Sequence, residues 1–143
     1  MSRPAPLLLL ASLLLAPSLL AGCNGAEKVR AERDRVSRKV EALRSAEDVD
    51  LDVRRKLLAE LEKDATKDPL GMAARDTCAS AYRALIESLT QSEEVEAAMK
   101  TGQRIDPFDM KRKLDAADKL IGRSEEDMPK CDKAASDLRT VKP

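Results

Sequence analysis

The chain has 143 residues, 26 basic and 26 acidic, so its formal net charge is zero, and it contains no histidine. That absence excludes Ser-His-Asp and Cys-His catalysis and histidine-ligated metals. With no Trp, and with Tyr82 and Phe108 as its only aromatics, it lacks paired rings for stacking, and its balanced charge provides no field for nucleic acid. Five glycines and no GxGxxG or GxxxxGK[ST] string leave no phosphate-cradling loop. The inventory therefore points to a protein that is not an enzyme and holds no cofactor.

The first element is a leader. A single basic residue, Arg3, precedes an apolar run from Leu7 to Leu20 and then small residues, the pattern of a secretory signal peptide. The run is broken by Pro17 and Ser18 and falls short of the ~20 apolar residues that a transmembrane helix needs. It closes on Leu20-Ala21-Gly22-Cys23. Ala and Gly also suit the general signal peptidase, but Leu at the third position before the cut and Cys directly after it resemble the lipobox of bacterial lipoproteins. That resemblance implies a cleaved leader over residues 1–22 and a diacylglyceryl group on the thiol of Cys23. It also implies membrane lipid as a partner through Cys23, since each buried CH₂ contributes about 0.8 kcal/mol and two or more chains anchor stably. In lipoproteins of the enteric type, Asp after the Cys favours the inner membrane; Asn24 here implies a periplasm-facing protein of the outer membrane.

Removing residues 1–22 leaves 121 residues and one excess acidic charge, enough for one small domain. Its 51 charged residues outnumber the 22 Leu, Ile, Val and Phe, which predicts solvated helices around a thin core. Val29, Val36, Val40 and Leu43 lie on one helical stripe, interrupted by Arg33, so any coiled-coil seam is weak. Ser45 with Asp48 has capping-box spacing, and the patch from Asp48 to Val53 is poor in helix formers, so a break is placed there. A second helix would turn Leu57, Leu58, Leu61 and Ala65 inward, unless it fuses with the first into one long helix. Residues 23–47 are accordingly read as a lipidated Cys and a charged stalk helix, and residues 48–143 as the helical domain.

Asp68-Pro69 and Asp106-Pro107 each combine an N-cap with a proline at the first helical position. The helix from Pro69 to Lys100, ending near Gly102, would present Ala74, Cys78, Ala81, Leu85 and Leu89, with Tyr82 and Ile86 beside them. The next would use Phe108, Leu114, Ala117, Leu120 and Ile121 and stop at Gly122. A last helix, capped by Ser124 or Asp127, would turn Cys131, Ala134, Ala135 and Leu138 inward. The expected fold is all-α, a small bundle of four to five helices with a long N-terminal helix or hairpin.

With Cys23 assigned to lipid, Cys78 and Cys131 remain as an even pair on inward stripes in an oxidising compartment, so they are expected to form a structural disulfide. Asp48, Asp50 and Asp52 mimic the start of a calcium loop, but Val53 and Ala59 stand where Gly and a bidentate Glu are required, so no metal site is assigned. Lys28, Arg30, Arg33, Arg35, Arg38, Lys39 and Arg44 outweigh four nearby acids on the first helix. They can lean on anionic headgroups or form a solvated, ion-paired face. The functional expectation is a lipid-anchored scaffold, adaptor or subunit of an envelope assembly, with a protein partner and possible self-association. The alternative is a small periplasmic ligand-binding or inhibitory module, with a cleft near Tyr82, Phe108 and Met110.

Overall fold

The computed structural model describes residues 23–142 except Glu47 and Gln103. The leader and the side chain of Cys23, on which the lipidation expectation rests, lie outside the described residues. Four helices follow one another: α1 (Cys23–Arg44), α2 (Leu51–Glu62), α3 (Pro69–Lys100) and α4 (Pro107–Thr140). There is no strand among the described residues, and none of the described helices is long and apolar enough to cross a membrane.

The starts of the helices follow from side-chain capping. The Asp68 carboxylate accepts from the Gly71 amide at 2.8 Å and Asp106 accepts from that of Phe108 at 3.0 Å, each ahead of a proline whose missing N–H costs nothing there. At α2 the capping residue is Asp50, which accepts from the Asp52 amide at 2.8 Å, and not the Ser45/Asp48 pair. The aspartate patch is thus the start of a helix, and residues 26–68 form two helices. Helix α3 ends as expected, with Gly102 just beyond it at φ 66°, a left-handed conformation that glycine adopts without a Cβ clash.

Helices α3 and α4 form a long antiparallel hairpin whose contact is built from small residues. Ala81, Ala84 and Ser88 of α3 and Ala117, Ser124 and Ala135 of α4 are all buried. Cys78 and Cys131 are fully buried on facing stripes, with Cα atoms 4.5 Å apart and sulfurs joined in a disulfide. Their sequence separation of 53 residues makes this a long-range staple.

One expectation is corrected in α4, which continues through both Gly122 and Pro129 to Thr140. Proline inside a helix removes a hydrogen bond and crowds the preceding turn, costing about 3 kcal/mol. Here both sides of Pro129 are held against α3: Asp127 accepts from the Ser80 hydroxyl at 3.1 Å, and Cys131 carries the disulfide. Tertiary fixation overrides the local stop signals, so the described residues form four helices, with no separate fifth among them.

The division into a stalk and a domain is corrected as well. Val36, Val40 and Leu43 of α1 are fully buried in the same core as Leu61, Cys78, Tyr82 and Leu138. Only the first turns of α1, through Ala31, stay largely exposed. Ala65, expected inward, is exposed in the α2–α3 loop. The α1 cations expected on a solvated face are instead partly consumed inside the molecule. Arg33 is buried and pairs with Asp68, while Arg35 and Lys39 converge on Asp64, whose side chain has no exposed surface. Glu32 accepts from the Thr66 hydroxyl at 3.0 Å and the Lys67 amide at 2.8 Å. These bonds tie the α2–α3 loop to α1.

Helices α1 and α3 each touch the other three, whereas α2 packs on α1 and α3 but not on α4. In section the bundle is a rhombus with α1 and α3 on its short diagonal. The outer face of α3, between α2 and α4, is left without a covering helix.

Candidate functional site

That uncovered face is a groove. Its floor is α3 at Ile86, Thr90 and Gln91, one wall is Leu58 of α2 and the other is Ala116 of α4, around a volume of about 700 Å³. A second hollow of about 540 Å³ lies toward the hairpin tip, floored by Ala97, Ala98 and Thr101. The two share Glu94 and Lys113, which are ion-paired across the hairpin. Together they track α3 from Arg83 to Thr101, about 27 Å at a rise of 1.5 Å per residue.

The chemistry is divided between floor and rim. Leu58, Ile86 and Ala116 give an apolar base. The Oε1 atom of Gln91 is buried and accepts no hydrogen bond, an arrangement that costs about 1–3 kcal/mol if left unmade. Glu87, one turn before it, is exposed and has no ion-pair partner among the described residues. The rim is mixed in charge: Arg55, Arg83, Arg112 and Lys113 line it together with Glu87 and Glu94, and each of the four cations is paired with an acid. Arg55 pairs with Asp52 at 2.6 Å and donates to the Thr90 hydroxyl at 2.7 Å; Arg83 pairs with Glu62, and Arg112 with Asp109. These are exposed pairs, each contributing about 0–1 kcal/mol, so their cations can be re-engaged at little cost.

The aromatic cleft expected from sequence is not assembled. Tyr82 is buried in the core, Phe108 is 81% exposed at the start of α4, and Met110 is half-buried. None of the three lines the groove. A cleft between the third and fourth helices does exist, but on other residues. Of its floor positions on α3, Ile86 lies beside the apolar stripe read from sequence, whereas Thr90 and Gln91 are polar and Ala97, Ala98 and Thr101 small, so an apolar-stripe reading passes over those five. Among the described residues no cluster of three or more acidic or cysteine side chains could hold a metal.

Elsewhere, large hydrophobic side chains are exposed at several places: Met99 is 65% exposed near the end of α3, Phe108, Leu114 and Ile121 are exposed on α4, and so are Val49, Val53, Met72 and Val141. Two of the electrostatic centres are internal: hydrogen bonds from Arg35 hold the Asp64 carboxyl, and those from Arg33 the Asp68 carboxyl, below the ordinary carboxylate range.

Fold and groove define a disulfide-closed bundle of four helices with an open slot along α3. No protein-family model matches the chain, and neither the curated proteins nor the solved structures contain a match.

Proposed function

We propose that the chain is a lipid-anchored bacterial envelope protein, facing the periplasm from the outer membrane, that acts without catalysis as a helical scaffold or adaptor in an envelope assembly. The observation that supports this reading is the uncovered outer half of the α3–α4 hairpin, with its slot and its exposed Met99, Phe108, Leu114 and Ile121. A two-helix hairpin cannot bury both faces by itself, and the apolar side chains it leaves exposed support an interaction surface. Anchoring at Cys23 would hold the bundle at the membrane by the end opposite the hairpin tip.

The alternative of a small-ligand module has the groove volume in its favour. A ligand pocket normally buries 70–90% of a small molecule, however, and the groove is open on its outer side, with α2 lining only the first of its two hollows. The test of the anchored reading is Cys23→Ala followed by membrane fractionation and lipid labelling. Release from the membrane and loss of label are expected; unchanged association would overturn it.

A further inference from the structure

We propose that the end of the bundle nearest Cys23 is a membrane-facing surface, on which Lys28, Arg30, Lys67 and Lys142 engage anionic phospholipid headgroups. This rests on the anchored reading and names the face of the domain that meets the bilayer. The four residues come from three places in the chain. Glu32 of α1 accepts from the Lys67 amide at 2.8 Å, and Arg33 donates to the Val141 carbonyl at 2.6 Å, so the α2–α3 loop and the end of the chain lie beside the same turn of α1. Arg30 and Lys142 line one hollow of about 340 Å³, together with Asp34, Leu138 and Val141.

What sets these cations apart is that they are free. All four are exposed, and none has an ion-pair partner among the described residues. Further along α1, Arg33 is taken up by Asp68, and Arg35 and Lys39 by Asp64. The acids of this end are largely withdrawn from the surface. Asp68 is buried against Arg33, and Glu32 is held by the Thr66 hydroxyl and the amides of Lys67 and Asp68. Glu27 and Asp34 remain exposed, so the four cations are in excess. Val141, 47% exposed, adds an apolar side chain among them.

The heights also fit. A diacylglyceryl group on Cys23 would set the start of α1 at the edge of the hydrocarbon core, beneath a headgroup layer roughly 5–7 Å thick. With α1 upright, Lys28 and Arg30 stand about 8 and 10 Å along the helix from Cys23, at the outer surface of that layer. Lys67 and Lys142, level with Glu32 and Arg33, stand about 14–15 Å from Cys23. Their backbones are then about 8 Å above the headgroups, one Debye length at physiological salt, and their side chains close part of that gap. The anchor selects a bilayer over any other anionic partner, because it fixes this end at the membrane.

The test uses protein purified from cells producing the full chain. It is added to vesicles of phosphatidylcholine, alone or with about one-third phosphatidylglycerol, then floated and acylated with a water-soluble amine reagent, and labelling is read by peptide mass spectrometry. Expected is flotation with both vesicles, with Lys28, Lys67 and Lys142 labelled at least about threefold more slowly on the anionic ones. About 0.5 M salt should remove that difference, and Lys100, at the opposite end of α3, should not show it. Unchanged rates at Lys67 and Lys142, or equal slowing at Lys100, in a chain that floats with both vesicles would overturn the proposal and leave the anchor standing. Flotation with the anionic vesicles alone, with the slowing in place, would overturn the anchor and leave the headgroup contact standing. Flotation with neither would overturn both.

Discussion

Arg33 and Asp68, 35 residues apart, meet in a two-pronged ion pair, Nε to Oδ2 at 2.9 Å and Nη2 to Oδ1 at 3.0 Å. The remaining Nη1 donates to the carbonyl of Val141 at 2.6 Å, and Oδ2 of Asp68 also caps α3 through the Gly71 amide. One arginine thus joins α1, the start of α3 and the end of α4. Removing one partner of a buried pair leaves the other charge uncompensated, at about 3–5 kcal/mol. Arg33→Ala should lower stability by about that amount in urea unfolding, and Arg33→Lys by a large part of it, because an ammonium cannot reproduce the fork. A loss below ~1 kcal/mol for Arg33→Ala would mean that the pair does not hold the helices together.

The pH profile follows from Asp64, Asp68 and Glu32. Arg35, Arg33 and the Lys67 amide, respectively, are the main causes that hold their carboxyl groups below the ordinary range. A carboxylate whose folded pKa is depressed stabilises the fold at pH above its unfolded value, about 4, and loses that contribution as pH falls toward the folded one. Because the chain has no histidine, stability should be nearly flat from about pH 8 to 5 and decline below about pH 4. Chemical unfolding at stepped pH checks this, and Asp64→Asn should shallow the acid limb while lowering the plateau.

Closing a loop of 53 residues restricts the unfolded chain, which in the chain-entropy model stabilises the fold by about 4 kcal/mol. Replacing both Cys78 and Cys131 by Ala should lower the unfolding midpoint to the value seen for the parent protein in reductant. If reductant has no effect on the parent, the staple is not formed in the purified protein.

A Cβ added at Gly71 would lie 2.6 Å from Oγ1 of Thr66, inside van der Waals contact. Gly71→Ala should therefore destabilise by about 1–3 kcal/mol by overpacking the start of α3. Thr66→Ala should cost less in the Gly71→Ala background than in the parent, although it also removes the hydroxyl that donates to Glu32. Strict additivity in that double-mutant cycle would refute the clash.

Arg54 is 7% exposed on α2, with a buried Nε that has no acceptor among the described residues. A buried polar group without a partner costs about 1–3 kcal/mol, and an apolar side chain of similar reach avoids that cost. Arg54→Met should raise the thermal midpoint. A fall of several degrees would show that the guanidinium has a stabilising role that its contacts do not reveal.

The all-α class, the two Asp-Pro helix starts, the end of α3 at Gly102 and the pairing of Cys78 with Cys131 follow from the sequence by itself. Each depends on local chemistry, in a capping carboxylate, a fixed proline φ, a glycine able to take positive φ, or two thiols left on inward stripes. Three matters needed the tertiary structure. Gly122 and Pro129 carry a stop signal that loses only because Asp127 and Cys131 are held against α3. The inward arginines of α1 look the same in sequence as the outward ones, because what separates Arg33 from Arg38 is the presence of Asp68 35 residues later. The groove cannot be read from residue order at all. It exists because α2 and α4 each pack on α3 without meeting, and a space between helices is a property of their arrangement, which depends on contacts distant in the chain.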